Sequence, residues 1–319
     1  MKVLVTGGAG FIGSHLVDAL LARGDTVFVI DDLSTGERAH LDVHCRNKHL
    51  HMAAARVEEG PLLTDWMQQA DSAFHLAATV GVRRVLKQRV RTLQNNIETT
   101  NAMLATASRF GTPLFLTSTS EVYGLTEEVP FKEDQPLRLG APDAGRWGYA
   151  ASKVLGEFMA LAYAREQHLP VVIGRLFNTT GPRQKADYGM VLPTFVDQAL
   201  LGAPITVHGD GLQTRCFAHV EEVVRAMLAL MATPAATGRI FNIGNDREVS
   251  IGTLAQRVKA LTGSSSEIVY LPYEQVYPDF DDMRRRVPDL SRLEQTIGFR
   301  PVLDLDDIIR SFIDHARAA

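Results

Sequence analysis

"VLVTGGAGFIGS", residues 3–14, runs from a short β-branched stretch into glycines at 7, 10 and 13, then into a segment of helical period ending at Gly24. The first part reads as a strand, and "GSHLVDALLARG" reads as a helix closed by its glycine. Glycines at the join let the backbone turn tightly and approach a pyrophosphate, whose charge the helix N-terminus favours. The next strand, "TVFVID", ends in Asp31, at about the 20-residue spacing of a ribose-binding acid. A carboxylate there accepts hydrogen bonds from ribose hydroxyls and repels a 2′-phosphate, so the pattern predicts NAD rather than NADP.

Outward from this turn, strand-like and helix-like segments alternate. "SAFHLAA", the helical "TLQNNIETTNAMLATASRFG", "PLFLTST", the helical "YAASKVLGEFMALAYAREQ" and "PVVIGRLF" follow in order. Such alternation predicts an α/β fold, a doubly wound parallel (Rossmann) sheet covered on both faces. Residues 40–64 carry no clear period. After Phe177, Pro and Gly become frequent, yet "FNIG" at 241–244 reads as a return to the sheet. The expected organisation is a NAD-binding domain of residues 1–177 plus about 218–245. A smaller interleaved substrate-binding lobe takes 178–217 plus 246–319.

The chain has 319 residues, 45% of them hydrophobic, enough for a sizeable core. Net charge is −4 with both signs mixed, which gives no surface for nucleic acid. Two cysteines make no disulfide framework, and no apolar run is long enough to span a membrane. A cytoplasmic protein is expected. His40, His44, His49 and His51 cluster in sequence but lack supporting Cys or carboxylate spacing, so no metal site is expected.

Two further stretches carry chemistry. "TSTSEVYG", residues 117–124, ends an apolar strand in hydroxyls, a carboxylate and a phenol. "RWGYAASK" sets Tyr149 and Lys153 four apart, on one helical face. A free phenol, with a pKa of about 10, is a poor base at neutral pH. A nearby ammonium and a positive nicotinamide ring would favour phenolate, which could take a proton from a sugar hydroxyl while hydride leaves the same carbon.

Together with "RLFNTTGPR" and "VHGDGLQTR", these motifs resemble the extended short-chain dehydrogenase/reductases that act on nucleotide sugars, over nearly the whole chain. The resemblance implies a site at the carboxyl ends of the strands, between the lobes. Around NAD it implies Gly7, Gly10, Phe11, Ile12 and Gly13, then Asp31, Asp32, Ser34, Thr35 and Gly36. Leu76, Ala77, Ala78, Asn96, Thr117, Tyr149 and Lys153 complete that set. It implies Thr119 beside the 4-hydroxyl, and contacts to a UDP-sugar from Asn178, Val191, Thr206, His208, Arg215, Arg284 and Arg286. A homodimer pairing the helices at about 93–110 and 150–167 is also implied.

Two features resemble UDP-glucuronate decarboxylases in particular. Ser120-Glu121 matches their Ser-Glu, where simple 4-epimerases carry small or neutral residues and 4,6-dehydratases Asp-Glu. In "DDMRRRVPDL", Arg286, Pro288 and Asp289 match an Arg-x-Pro-Asp pattern whose arginine belongs to the active site, while Arg284 matches a diphosphate-binding arginine of epimerases. The chain departs from that group in "YAASKV", where "YDEGKR" is usual, and in "TVGVRRV" at 79–85, where a "SPASP"-like stretch is usual. The expected catalytic set is Thr119, Ser120, Glu121, Tyr149, Lys153 and Arg286, for NAD-dependent decarboxylation of UDP-glucuronate to UDP-xylose or the UDP-4-keto-pentose. The alternatives are a UDP-glucose or UDP-glucuronate 4-epimerase, a 4,6-dehydratase, and a non-catalytic nucleotide-sugar-binding regulator. An intact Thr119, Tyr149 and Lys153 set argues against the last, since a binding module needs no activated phenol.

Overall fold

Strands β1 (Lys2–Thr6), β2 (Thr26–Asp31), β3 (Leu50–Ala54), β4 (Ser72–His75), β5 (Leu114–Thr119) and β6 (Val171–Leu176) form most of one parallel sheet in the computed structural model. The structure describes residues 1–81, 88–145, 147–186, 189–272 and 283–318. In chain order there follow β7 (Thr179–Thr180), β8 (Ile205–His208), β9 (Thr214–Cys216), β10 (Ala218–His219), β11 (Arg239–Ile243), β12 (Glu248–Ser250) and β13 (Ile268–Leu271). The central sheet runs β11-β6-β5-β4-β1-β2-β3, so "FNIG" does return to it, beside β6.

Both faces of the sheet are buried, which is why its strands read as continuous apolar runs rather than alternating ones. Val3, Val5, Val27 and Val29 face one core, shared with helices Phe11–Ala22 and Val220–Met231. Leu4, Phe28 and Ile30 face the other, with Met103, Leu104 and Ala160 from helices Arg89–Phe110 and Trp147–Glu166. Strand order reverses between β1 and β4, which opens a crevice at the strands' carboxyl ends. A third core, with Phe195, Ile205, Val207, Leu254, Ile309 and Phe312, belongs to the second lobe.

One sequence reading needs correction. Residues 40–64 hold β3 and the short helices Ala39–Asp42 and Leu62–Met67; β3 is a half-exposed edge strand, which mutes its apolar pattern. Part of the 246–319 segment also packs on the sheet side. Leu290, Leu293, Ile297 and Phe299 join the sheet-side core, because helix Ser291–Ile297 packs on β11 and the Val220–Met231 helix.

Candidate active site

One cavity of about 570 Å³ opens at the carboxyl ends of the strands and reaches into the second lobe. At one end the β1 turn is built for close backbone approach. Gly7 has φ +74°, and a Cβ on it would sit 2.7 Å from Ala77 N; a Cβ on Gly13 would collide with Gly7 O. Gly10, Phe11 and Ile12 complete this wall, and Leu76, Ala77 and Ala78 line the opposite side after β4. Asp31 closes β2. Its Oδ2 accepts from Ala9 N and its Oδ1 from Leu33 N, both at 2.9 Å. Burial raises its pKa, and these amides oppose that. Asp32, whose Oδ1 accepts from Ser34 N, lines the cavity with Ser34 and Thr35. Thr117 Oγ1 is buried at the cavity with no hydrogen-bond partner. The glycine cradle, a carboxylate at the ribose end and an orphaned hydroxyl fit a dinucleotide.

Thr119, Ser120, Glu121, Tyr149 and Lys153 line the middle of the cavity. Strand alternation would put Thr119 and Glu121 on one face, but β5 stops at Thr119 and Ser120–Tyr123 turns as a 3₁₀ segment. Thr119 Oγ1 caps this turn by accepting from Glu121 N at 3.3 Å. The two side chains still share the cavity, through a turn rather than a pleat. Lys153 Nζ donates to Thr117 O at 3.1 Å. Burial pulls its ammonium down to about 8, against the favourable charge of Glu157.

Tyr149 keeps part of its surface open to the cavity while protein encloses the phenol. Burial pushes the phenol up, and the Glu121 charge adds to this; a hydrogen bond with the Thr119 hydroxyl works the other way. On balance the protein's own groups raise the phenol's pKa, which leaves the positive nicotinamide ring of bound NAD to favour the phenolate.

From the second lobe, Asn178, Val191, Thr206, His208, Arg215 and Arg286 reach the cavity. Arg286 Nη1 lies 2.5 Å from Glu121 Oε1, with both side chains largely buried. Arg285 instead holds Glu248 at 2.9 and 2.7 Å.

Three expected site residues do not line the cavity. Arg284 is exposed and pairs with Asp210 at 2.7 Å, because the chain turns it outward before Arg286 turns in. Asn96 lies behind the wall, where its amide accepts from Thr79 N at 2.7 Å and reaches Ser152 Oγ at 3.4 Å; Asn95 and Thr99 line the cavity instead. Gly36 backs Asp31, and a Cβ there would lie 2.9 Å from both carboxylate oxygens.

Sequence reasoning missed Ala55–Glu58, which follow β3 at its carboxyl end, and Arg183, Gln184 and Lys185. Reading β3 would have signalled the first group. The second is carried over the cavity by tertiary contacts alone: Arg183 pairs with Asp18 at 2.8 Å and Lys185 with Glu37. The sequence histidines separate. His40 bonds Ala9 O, His44 bonds Asp18, His49 meets Thr26, and His51 packs on Phe28. Of "TVGVRRV", residues 82–85 lie outside the described residues, as do 281 and 282 of "DDMRRRVPDL".

The model of the family described as "NAD dependent epimerase/dehydratase family" matches residues 3–244. A UDP-N-acetyl-alpha-D-glucosaminuronate decarboxylase of Bacillus cytotoxicus is 37% identical, over 99% of this chain and 98% of that one. UDP-glucuronic acid decarboxylase 1 of Xenopus tropicalis is 35% identical, over 99% and 72%. Among solved structures, a UDP-glucuronic acid 4-epimerase from Bacillus cereus, in complex with UDP-glucuronic acid and NAD, is 28% identical. It superposes with a TM-score of 0.90 over 100% of this chain and 99% of that one. The glycine turn, the acid closing β2 and the match over most of the chain lead to one conclusion: this protein belongs to the NAD-dependent epimerase/dehydratase family, and NAD is its cofactor.

Proposed function

We propose that this enzyme decarboxylates a UDP-hexuronate, UDP-glucuronate first, through a 4-keto sugar. The observation that carries the reading is the Glu121–Arg286 pair in the same cavity as Thr119 and Tyr149. Changing only C4 needs a base and an orienting hydroxyl. Removing C6 as CO₂ calls for further groups that hold the carboxylate and manage a proton at C5. An arginine and a carboxylate supply both.

When bound, NAD supplies the hydride acceptor for C4 and a positive charge that favours the phenolate. Tyr149 takes the 4-hydroxyl proton, with Thr119 holding the oxygen and Lys153 adding positive charge. Oxidation at C4 makes the C6 carboxylate a β-keto acid. The C5–C6 bond breaks, CO₂ leaves, and its electron pair remains as an enolate across C4 and C5. A proton delivered to C5 of the enolate, with Glu121 and Arg286 as the groups to manage it, gives the UDP-4-keto-pentose. Return of the hydride to C4, with the Tyr149 phenol giving its proton back to O4, gives UDP-xylose. In this reading Asn178, Arg215 and His208, which line the cavity, hold the UDP portion.

We assign the enzyme to the cytoplasm, in keeping with two free cysteines. Among the described residues no helix is long and apolar enough to cross a membrane. In support of a homodimer, the Trp147–Glu166 helix leaves Phe158 67% and Leu155 42% exposed on one stripe beside the Arg89–Phe110 helix.

The test is incubation with UDP-glucuronate and, because one relative is named for an N-acetylated sugar, UDP-N-acetylglucosaminuronate. Release of CO₂ and a product lighter by that mass is expected. Interconversion of UDP-glucuronate and UDP-galacturonate without carbon loss would overturn the reading in favour of a 4-epimerase, which the fold of the Bacillus cereus enzyme also accommodates.

A further inference from the structure

Three consecutive residues at the end of β5 each grip the helix Trp147–Glu166. Thr117 O takes the Lys153 ammonium at 3.1 Å. Ser118 Oγ donates to Glu157 Oε1 at 2.5 Å. The Thr119 hydroxyl bonds the Tyr149 phenol. Positions 149, 153 and 157 are four apart, so they form one stripe along the helix.

Glu157 sits at the inner end of that stripe and is 3% exposed. Arg175, on β6, holds it in a fork: Nε donates to Oε1 at 2.9 Å and Nη2 to Oε2 at 2.7 Å. Arg175 is fixed in turn, with Nη1 on Glu133 O at 3.2 Å and its guanidinium 4.8 Å from the centre of the Tyr123 ring. A buried ion pair gains little net stability over apolar residues of equal volume. Its contacts lead straight to the reacting groups.

We propose that Glu157, locked by Arg175 and Ser118, is a positioning residue for the reaction: it registers the Tyr149–Lys153 helix on the end of β5 and sets a carboxylate one helical turn from the Lys153 ammonium. The proposal rests on Tyr149 as the base that takes the 4-hydroxyl proton. It adds to that reading a pair that touches neither sugar nor cofactor.

The surroundings of Lys153 leave Glu157 as the group that favours its charge. From β4, His75 is held neutral by burial, its pKa near 3, and the ammonium itself adds to this. On the same helix stand Tyr149 and Glu157. Beyond β5, Glu121 acts on Tyr149 and is paired with Arg286. Arg175 lies behind Glu157. The Arg89–Phe110 helix turns Asn96 and Thr100 toward this helix, neither of them charged. Burial draws Lys153 down to about 8, and the Glu157 carboxylate opposes that draw.

The experiment compares wild type, Glu157→Gln and the double variant Glu157→Gln/Arg175→Met, all loaded with NAD. The double variant guards against misfolding, because it removes Glu157 and Arg175 together and so leaves neither half of that ion pair buried alone. One readout needs no turnover: NMR of isotope-labelled lysine, with the Lys153 signal assigned by its loss in Lys153→Met, gives the midpoint of the ammonium's titration. We expect that midpoint to fall by about one pH unit in Glu157→Gln and in the same direction in the double variant. A second readout is single-turnover reduction of bound NAD by UDP-glucuronate across pH. Its alkaline limb should move down with the midpoint, a loss of about tenfold above the limb. A folded, NAD-loaded double variant with the wild-type midpoint overturns the proposal, whether its rate is unchanged or lowered equally at every pH. Oxidation at C4 needs no carbon loss, and the NMR readout needs no reaction. A wild type that releases no CO₂ would therefore sink the decarboxylase reading while leaving this test decisive.

Discussion

Arg286 Nη1 lies 2.5 Å from Glu121 Oε1, and the pair ties the segment after residue 282 to the turn after β5. Glu121 stands on the turn after β5, two residues from the hydroxyl that bonds Tyr149. The two side chains are only 18% and 10% exposed.

The first prediction tests that pair. Glu121→Gln is nearly isosteric and should fold. CO₂ release should fall by roughly 10²–10⁴-fold, typical of losing a proton-transfer group, while transient reduction of bound NAD persists. Arg286→Met should cause a comparable loss. Arg284→Met should change turnover little, since Arg284 faces solvent and holds Asp210. Paired measurements of CO₂ and nicotinamide absorbance check all three; full CO₂ release by Glu121→Gln would remove Glu121 from the chemistry.

The second prediction concerns Tyr149. Burial first and the Glu121 charge second raise its pKa. The base form is the phenolate, so in the NAD-loaded enzyme oxidation at C4 rises with pH along the acid limb of its profile, ahead of the alkaline fall tied to Lys153. Glu121→Gln removes one of the two raising influences and should move the rise to lower pH. Tyr149→Phe should bind NAD yet lose nearly all hydride transfer. Single-turnover pH profiles decide both points, and an unmoved limb in Glu121→Gln would contradict the electrostatic account.

A third outcome is expected in solution. The stripe of Leu155 and Phe158 should be covered by a second copy of the chain. Light scattering at micromolar concentration should give the mass of a dimer, and Phe158→Glu should shift it toward monomer. A monomeric wild type would count against the assembly.

The fourth prediction follows from His75. Its imidazole is fully buried, with Nδ1 2.7 Å from Thr6 Oγ1, and burial lowers its pKa to about 3 from 6.5. The unfolded chain binds the proton first as pH falls. This contribution is therefore complete above 6.5 and drains away between 6.5 and 3, by up to about 1.4 kcal/mol per pH unit. His75→Gln should unfold in urea with a shallower dependence on acid than wild type. Equal slopes would show that other groups dominate acid unfolding.

By itself, the sequence determined the sheet, the cofactor turn and most of the expected residues that line the cavity. These rest on local chemistry: β-branched runs buried on both faces, glycines where a Cβ would strike Ala77 or Gly7, and the four-residue spacing of Tyr149 and Lys153. Tertiary structure decided what depends on distant partners. It chose Arg286 over Arg284, since nothing in three consecutive arginines says which one the chain turns inward. It brought Glu121 to Thr119 by a turn that strand alternation does not foresee, and it hid Asn96 behind Thr79 and Ser152. It also set the surroundings of Tyr149: a phenol's pKa follows the burial and the net charge around it, and among the protein's own groups the enclosing chain and the Glu121 carboxylate, which no local spacing announces, raise it.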